Sequence, residues 1–514
     1  MITRIFGGPG TGKTAYLLRK IENLSKSTPV ENIAFITWST SAIEEVRQRL
    51  QVSKNELKWF NTLHGVCLSL AMNEGNGFKQ RAKKTFEKPN FVISWQIKFC
   101  KDFKIPFDPF AVGASELLGN QAFSLYSKAI GTWYPVKKDI MACVELVYKE
   151  SPLCGDIIKK WIAFKDHHGI IDFNDILIEA YERELFPPTD YVLVDEAQDL
   201  SLLEYLIIER FIDASKDAFV AGDDDQAIHG WKGAKARYFL NLKADEDVVL
   251  PKSHRVPSKI FEFANQIIGL VLERKEKDIQ PAKEGGSVKI FPGAYDIEGV
   301  ANMAKNLAML YPQKTVFLLF RTNQMVKVAE SSLIRARFPF KSLKGQSIWE
   351  RELLTAWNAV AKTRNKLPLT SVELMWIFEH MKPFFTDKEK EILIQSVEKG
   401  NIPIQFYQIA DKIPFILDEN KVDPVIFEAI KLANKPIDPA KVNLYVDTIH
   451  ASKGREADVV LLVDAITKSI EWNIREREGY EDELRVFYVG ATRAREALGI
   501  VQLVDFTPFI GGQK

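Results

Sequence analysis

The chain begins MITRIFGGPGTGKT, residues 1–14, and this stretch decides the fold. Residues 7–14 match Gly-x-x-x-x-Gly-Lys-Ser/Thr, the pattern of a phosphate-binding loop that follows a strand and precedes a helix. Both conditions are predicted, because residues 2–6 suit a short buried strand and apolar residues recur at helical spacing after Lys13. Glycines let such a loop direct backbone N–H groups at phosphate oxygens. The stretch therefore predicts the start of an α/β nucleotide-binding core.

Length and composition are those of a globular protein of several domains, with 514 residues, 46% apolar and 27% charged. Lys and Arg (69) nearly balance Asp and Glu (68), so a polyanionic partner would need a local basic groove. No apolar run is long enough to span a membrane. A cleaved leader would destroy the phosphate-binding loop, so we expect a cytoplasmic protein. Four cysteines without a CxxC pair are expected to be buried apolar side chains, namely Cys67, Cys100, Cys143 and Cys154.

Strands and helices alternate near the loop, as in a parallel sheet covered on both faces. A second group of buried-strand runs follows the polar stretch KEGGS, and a mainly helical block interrupts each group. We predict two α/β cores, each with a helical insert. The predicted first core comprises residues 1–66 and 171–282 with the insert 67–170, and the predicted second core comprises 283–348 and 440–514 with the short insert 349–439.

Acidic residues that can support phosphate chemistry follow a predicted strand in VLVDEAQD. Asp195, at the strand end, can hold Mg²⁺, and Glu196 can accept a proton from an attacking water. In the glycine loop, Lys13 would reach the β- and γ-phosphates and Thr14 would ligate Mg²⁺. Taken alone, the acidic pair can also be read as a solvated, capped turn.

The stretch GDDDQAIHGWKGA follows the next predicted strand. Its three consecutive aspartates repel one another and should be exposed or near cations. Gln226 can donate to a γ-phosphate, and Trp231 is either a base-stacking residue or a core aromatic. Further along, Arg255 and Arg493 are either surface charges or arginine fingers that neutralise the γ-phosphate.

Together these motifs resemble the UvrD/Rep/PcrA branch of superfamily 1 DNA helicases, and the likeness covers both cores in order. The stretches that carry it are GGPGTGKT, FITWSTSAIEEVRQRL, NTLHG, DFNDIL, VLVDEAQD, GDDDQAIHGWKGA, LPKSHR, LLFRTN, VDTIHASKGREADVV and EDELRVFYVGATRAR. The resemblance implies two RecA-like cores of the phosphate-binding-loop type. It also implies ATP and Mg²⁺ as cofactors, with single-stranded DNA and single-strand/duplex junctions as substrates.

The resemblance assigns roles to matching positions. The implied catalytic residues are Lys13, Glu196, Gln226, Arg255 and Arg493, with the two arginines reaching ATP from opposite sides of a cleft between the cores. The implied nucleotide-binding residues are Gly7, Gly8, Pro9, Gly10, Thr11, Gly12, Lys13, Thr14, Gln198, His254, Gly454 and Glu456. The implied metal ligands are Thr14 and Asp195. The implied DNA contacts are Thr37, His64 and Trp231 in the first core and Thr448 and His450 in the second.

The activity implied by this resemblance is 3′-to-5′ translocation on single-stranded DNA with duplex unwinding, driven by ATP hydrolysis between the cores. Alternatives are a nucleotide-switched DNA clamp and a translocase that strips proteins with little unwinding. RNA is a further candidate substrate. The basic run KQRAKK, residues 79–84, is either a duplex-phosphate contact or a solvated helix face. We expect a monomer, with other replication or repair proteins as candidate partners.

Three departures from the family pattern concern the nucleotide base. We expect the family's adenine-reading segment to be missing before the loop, Ala15 stands where relatives often have an arginine, and His254 stands where they often have a base-stacking tyrosine. Because lost base-edge hydrogen bonds remove selectivity, we expect GTP to be hydrolysed nearly as well as ATP. The chain ends at Lys514, soon after the last predicted strand, so no nuclease-like domain is expected there.

Overall fold

Two compact units make up the computed structural model. Unit 1 comprises Met1–Ser287 and Lys468–Glu496, and unit 2 comprises Val288–Thr467 and Ala497–Lys514. The residues that the structure describes are 1–37, 40–53, 56–73, 77–86, 91–109, 117–343, 345, 347, 349–380, 386, 388, 390–391, 395, 413, 417–418, 420–422, 424–431 and 433–510.

Strands and helices alternate along most of the described chain. The strands are β1 (Ile2–Phe6), β2 (Ile33–Ile36), β3 (Phe60–Asn61), β4 (Tyr191–Val194), β5 (Asp217–Gly222), β6 (Glu246–Val249), β7 (Lys252–Ser253), β8 (Gln280–Pro281), β9 (Ser287–Tyr295), β10 (Val316–Phe320), β11 (Leu444–Thr448), β12 (Ala457–Asp464) and β13 (Ala494–Leu503). The α-helices of unit 1 are α1 (Lys13–Leu24), α2 (Thr40–Leu50), α3 (Leu63–Asn73), α4 (Gly77–Phe86), α5 (Phe91–Asp102), α6 (Leu118–Lys137), α7 (Ile140–Glu150), α8 (Pro152–His168), α9 (Phe173–Glu182), α10 (Leu202–Asp213), α11 (Ala236–Leu240) and α12 (Ser258–Ile268).

The later helices follow in both units. They are α13 (Ile297–Leu310), α14 (Asn323–Arg335), α15 (Leu354–Arg364), α16 (Ser371–His380), α17 (Pro424–Ile430), α18 (Lys468–Asn473) and α19 (Arg477–Ala491), with a π-helix at Trp349–Leu353. Short 3₁₀ turns lie at Val30–Asn32, Ala197–Asp199, Asp224–Gln226, Gly230–Lys232, Pro439–Lys441 and His450–Ser452.

The sheet of unit 1 has six strands in the order β3-β2-β4-β5-β1-β6. Its paired strands run parallel, with Phe6 opposite Gly222 on one side and Val249 on the other. The carboxyl ends of β1, β4 and β5 therefore meet at one edge of the sheet. Ligands of open α/β sheets bind outside this edge, so the loops after these strands are expected to form the binding site.

Both faces of this sheet are covered, as the continuous apolar strands predict. Ile5 and Leu193 pack with Leu17 of α1 on one face. Phe6 and Val194 on the other face belong to an apolar cluster that also contains the side chains of the helical insert. Trp161 of α8 is among these, with its ring 5.3 Å from that of Phe99. The insert of unit 1 is thus continuous with the core of the sheet.

Unit 2 contains a five-stranded sheet in the order β11-β10-β12-β13-β9, in which β10 runs parallel to β11 and β12. Helices α13 and α14 contribute Val300 and Leu333 to its core. Trp357 of α15 and Ile377 of α16 belong to the same cluster, so the helices between β10 and β11 also rest on this core. The predicted fold class is confirmed: the chain is an α/β protein with parallel sheets in two RecA-like cores.

The structure agrees with the predicted elements near the glycine loop and with the predicted environment of the cysteines. The predicted strand at residues 2–6 coincides with β1, and the helix predicted after Lys13 is α1. The structure confirms that the four cysteines are free and buried. The domain limits stay a prediction; within the predicted second core, the segment Lys468–Glu496 groups with unit 1. Within the described ranges, no helix has the length and apolar character needed to cross a membrane.

Candidate nucleotide-binding site

The glycine loop joins β1 to α1 at the carboxyl edge of the unit 1 sheet. Gly10 (φ 73°) and Gly12 (φ 81°) take the left-handed conformation that favours glycine, and Gly12 lies directly before α1. The buried Lys13 donates from Nζ to the carbonyl of Gly7 at 2.8 Å. N–H groups at the start of a helix attract anions, so this loop is built to hold phosphate, with Lys13 at its centre.

The segment that carries Arg255 packs directly on this loop. His254 donates its backbone N–H to the Gly10 carbonyl at 2.9 Å, and the hydroxyl of Ser253 donates to the Pro9 carbonyl at 2.6 Å. A Cβ at Gly10 would lie 2.3 Å from Cβ of Arg255, so close approach as well as backbone conformation requires glycine there. These contacts place Arg255 beside the loop.

The end of β4 supplies a pair of oxygen donors next to α1. The Thr14 hydroxyl donates to Oδ2 of Asp195 at 2.6 Å. Burial, followed by the nearby charge of Glu196, raises the pKa of Asp195 to about 6. Mg²⁺ is usually held by one or two protein oxygens together with phosphate and water, so Thr14 and Asp195 fit it. Across the described ranges no cluster of three or more His, Cys, Asp or Glu side chains is placed to hold a metal.

Glu196 stands in a strained backbone conformation. Its φ is 54°, which costs a non-glycine residue free energy and is often found at functional sites. Its backbone N–H donates to Oδ1 of Asp195 at 3.0 Å, and its Oε2 accepts from Nε2 of Gln198 at 2.5 Å. These two contacts hold the Glu196 backbone against Asp195 and its carboxylate against Gln198.

A series of hydrogen bonds continues from Gln198 to Arg493. Asp223 donates its backbone N–H to Oε1 of Gln198 at 2.8 Å, and Oδ2 of Asp223 accepts from Nε2 of Gln226 at 2.6 Å. Oε1 of Gln226 in turn accepts from Nη2 of Arg493 at 2.8 Å. The turns after β4 and β5 are thereby joined to the end of α19.

Arg493 is 1% exposed and lies in unit 1, although its place in the sequence leads us to expect it in the second core. Burial, followed by the charge of Arg255, lowers the pKa of Arg493 to about 9, against the opposing effect of Glu196. Arg255 and Glu196 therefore both lie within electrostatic range of Arg493. The predicted catalytic residues thus converge on one site of unit 1, namely Lys13, Glu196, Gln226, Arg255 and Arg493.

Sequence reasoning missed the cations that accompany the three aspartates after β5. Asp223, Asp224 and Asp225 are buried, and Lys277 and Arg274 form ion pairs with them. The sequence predicts that these aspartates are either exposed or near cations, and the structure shows the second alternative. The basic stretch ERKEK, residues 273–277, is the signal that would have identified the partners.

The predicted DNA contacts of unit 1 differ in exposure. Thr37 is buried after β2, and His64, at the start of α3, has its ring edge-on to Phe173 at 5.5 Å. Burial lowers the pKa of His64. Trp231 is 39% exposed on a turn whose Gly233 fits closely against Thr132 of the insert. Of these three, Trp231 offers the most accessible surface for stacking on a base.

The predicted residues of unit 2 cluster after β11. Thr448 ends this strand, and its hydroxyl accepts from the backbone N–H of Ala451 at 3.3 Å, which stabilises the turn containing the buried His450. Gly454 follows with φ 78°, and Glu456 is partly buried just before β12. These four residues therefore share one loop of unit 2, and their roles in nucleotide or DNA binding stay predictions.

Two family models match the sequence. The UvrD/REP helicase N-terminal domain matches residues 2–247, and the UvrD-like helicase C-terminal domain matches residues 443–501. The match to the N-terminal domain includes the glycine loop and the turns after β4 and β5. The match to the C-terminal domain includes the loop after β11 and α19.

The chain is also similar to two curated proteins, each named ATP-dependent DNA helicase PcrA. The protein from Staphylococcus epidermidis is 24% identical over 401 residues, which is 72% of this chain and 53% of the relative. The protein from Staphylococcus aureus is 23% identical over 399 residues, with the same shares covered. The chain therefore spans about half the length of the curated relatives it matches. Its two domain matches, in the order and at the places where the site residues lie, show that it belongs to the UvrD/Rep/PcrA-type helicase family.

Proposed function

We propose that the chain is an ATP-dependent DNA helicase that moves 3′ to 5′ along single-stranded DNA. The observation that carries this proposal is the series of contacts around the phosphate-binding loop. It runs from Thr14 and Asp195 through Glu196 to Gln226 and Arg493. The names of the similar proteins support the same activity, and the polarity rests on the family resemblance.

ATP is proposed to bind with its triphosphate on the glycine loop. Lys13 would contact the β- and γ-phosphates, and Mg²⁺, held by Thr14 and Asp195, would offset phosphate charge. Glu196 would orient the attacking water and take its proton. Arg255 would neutralise charge that develops on the γ-phosphate, since preorganised cations stabilise such a transition state. The base and the ribose are left to residues outside the loop, with His254 as the proposed contact of the base and Glu456 as that of the ribose.

Arg493 and the two glutamines complete this proposal. Arg493 would act with Arg255 on the γ-phosphate, and Gln198 and Gln226 would respond to its presence. Each of these side chains already has a hydrogen-bond partner in the contact series. A bound γ-phosphate would therefore compete with those partners for the same side chains. Loss of the γ-phosphate would release them again, which gives hydrolysis a structural consequence in unit 1.

Single-stranded DNA is proposed to stack on the exposed Trp231, a contact that tolerates any base. Thr37 and His64 are the further proposed contacts in unit 1, and Thr448 and His450 those in unit 2. Lys83 and Lys84 are exposed on α4 and are proposed to contact duplex phosphates at a junction. Such contacts give binding without sequence preference.

The base assignment is tested by Glu196→Gln, which removes the proton acceptor at nearly constant volume. We expect single-stranded DNA binding to be retained and DNA-stimulated ATP hydrolysis to fall by roughly 10²-fold or more. Glu209→Gln is the matched control, because Glu209 accepts from the Tyr205 hydroxyl on α10 at 3.0 Å, outside the contact series. Full hydrolysis in Glu196→Gln would refute the assignment.

Movement on DNA is tested with duplexes that carry either a 3′ or a 5′ single-stranded tail, in the presence of ATP and Mg²⁺. Unwinding of the 3′-tailed duplex alone is the expected result. Release of streptavidin from a biotinylated single strand without unwinding would favour the stripping translocase. Binding to DNA without DNA-stimulated turnover would favour the nucleotide-switched clamp.

A further inference from the structure

Lys277 is a buried cation of unit 1 to which the proposed function gives no role. Its side chain is 2% exposed, and Nζ lies 3.2 Å from Asp223 and 3.0 Å from Asp225, with Asp224 also in contact. It belongs to the segment that follows α12. Burying an ammonium group costs free energy unless the group is paired with an opposite charge. We therefore ask what Lys277 does for the three carboxylates around it.

Two neighbours of Lys277 in the sequence also bind carboxylates of this cluster. Arg274 makes a bidentate pair with Asp225, at 2.8 Å from Nε and 2.7 Å from Nη2. The backbone N–H of Lys275 donates to Asp224 at 2.7 Å. Asp225 and Asp224 thus have partners besides Lys277, whereas the ion pair that Asp223 makes within the described residues is the one with Lys277.

Asp223 determines which way two amide side chains point. Its carboxylate accepts from Nε2 of Gln226, which leaves Oε1 of Gln226 facing Nη2 of Arg493. Its backbone N–H donates to Oε1 of Gln198, which leaves Nε2 of Gln198 facing Glu196. If Asp223 were protonated, its O–H could donate to Oε1 of Gln226. The amide would then turn its own donors toward the Arg493 guanidinium, and the contact would be lost.

We propose that Lys277 is a positioning residue for ATP hydrolysis, which keeps Asp223 ionised and thereby orients Gln226 and, through it, Arg493. The inference rests on the proposed function, since it concerns the residues assigned there to the γ-phosphate. It predicts that Lys277 affects ligands that carry a γ-phosphate and leaves ADP binding nearly unchanged.

The pKa shifts of Asp223 and Lys277 support the same proposal. Burial would raise the pKa of Asp223, but Lys277 and then Lys13 oppose it, and the net shift is downward. Asp224, Asp225, Tyr488 and Arg493 are further charged or titratable groups near Asp223 in this site. Burial would likewise lower the pKa of Lys277, but the three aspartates reverse this effect and raise it.

The test compares Lys277→Met with Lys275→Met in the full chain. Lys275 is in the same segment, but its side chain pairs with Asp247 at 3.1 Å, away from the glutamines. We expect Lys277→Met to lower kcat for ATP by roughly 10- to 100-fold, the usual effect of losing a residue that orients a functional group. Affinity for the β,γ-imido analogue of ATP should fall by a similar factor, with ADP affinity within about twofold of wild type. Lys275→Met should resemble wild type in all three.

A second variant separates positioning from charge balance and serves if Lys277→Met folds poorly. Lys277→Met with Asp224→Asn restores the net charge of the cluster but leaves Asp223 without its cation. We expect its thermal unfolding midpoint to return toward wild type while kcat and analogue affinity stay low. Recovery of both would overturn the proposal, and so would equal losses in ADP and analogue affinity.

The outcomes also separate this inference from the proposed function. A wild-type chain that binds both nucleotides without hydrolysing ATP would refute the proposed function. The part of the inference in which Lys277 orients Gln226 and Arg493 would still stand if Lys277→Met then weakened binding of the analogue but not of ADP. Conversely, the wild-type chain could hydrolyse ATP while Lys277→Met shows the same kcat and the same analogue affinity. That result would overturn the inference and leave the proposed function standing.

Discussion

Arg493 donates from Nη2 to Oε1 of Gln226 at 2.8 Å, and both side chains are buried. The guanidinium also donates from Nε to the carbonyl of Val489, in the preceding helix α19, at 2.8 Å. An arginine fixed in this way is preorganised, because little side-chain freedom remains to be lost when it acts on a charged group. Its removal should therefore affect chemistry more than nucleotide binding.

The first prediction concerns Arg493→Ala. We expect kcat for DNA-stimulated ATP hydrolysis to fall by about 10³-fold or more, the range found for arginine fingers, with a much smaller change in ADP affinity. Arg475→Ala is the control, since Arg475 is exposed and stacks on Trp472 at 4.3 Å. A kcat for Arg493→Ala within about threefold of wild type would contradict the role of a finger.

The second prediction concerns the strain at Glu196. Both Glu196→Gly and Glu196→Ala remove the carboxylate, so their difference reports on the backbone. At φ 54° we expect the glycine variant to be more stable by about 1 kcal/mol in the free energy of unfolding. The same pair at Glu22, inside α1, should show the opposite order by a similar amount. Equal stability of the two Glu196 variants would argue against strain.

The third prediction concerns Trp231. Trp231→Ala should weaken binding of a fluorescent single-stranded oligonucleotide by about 1–3 kcal/mol, the usual contribution of one stacked base. Phe103→Ala is the control, because Phe103 is a large exposed aromatic side chain of the insert. Titrations at one fixed salt concentration keep the phosphate contribution constant. Equal affinities of the two variants would contradict the assignment of Trp231.

The fourth prediction concerns pH and the ion pairs between α8 and the start of α9. Nζ of Lys165 lies 2.8 Å from the buried carboxylate of Asp172 and 2.7 Å from the partly buried carboxylate of Asp175, so one ammonium group pairs with both. Burial, followed by the charge of Asp172, raises the pKa of Asp175 to about 6. The raised pKa means that the folded state binds the proton more tightly than the unfolded state. The stability that this proton contributes is present below about pH 4 and is lost as the pH rises through about 6.

Asp175→Asn removes this titration. Between pH 4 and 7 wild type should lose on the order of 2 kcal/mol of stability relative to Asp175→Asn. Urea midpoints measured across that range test this, with Asp166→Asn as the control because Asp166 is 68% exposed. A constant difference between wild type and Asp175→Asn at every pH would contradict the raised pKa.

Local sequence predicts the parts of this protein whose information lies in neighbouring residues. The glycine loop occupies eight consecutive positions from Gly7, and its conformation depends on the glycines themselves. Strands such as Ile33–Ile36 are recognisable because a parallel sheet buries both faces and so requires an unbroken apolar run. These features fix the fold class and most of the site before any tertiary contact is known.

The features that sequence did not reveal depend on contacts between distant segments. Lys277 meets Asp223 after more than fifty residues of intervening chain, and a short basic stretch is usually just a solvated surface. Arg493 falls in the predicted second core by chain order. Its unit is decided by the packing of α19, where Arg485 donates from Nη2 to the carbonyl of Glu273 at 2.7 Å. No pattern of residue types along α19 specifies that partner.

The four cysteines have a practical consequence for spectroscopy. All are free and buried, and burial raises the pKa of Cys67, so the native thiols should react slowly with maleimide dyes. A single cysteine introduced at an exposed position of each unit would therefore be labelled preferentially without removal of the native ones. Fluorescence energy transfer between two such dyes would then follow the separation of the units through a cycle of ATP addition and turnover.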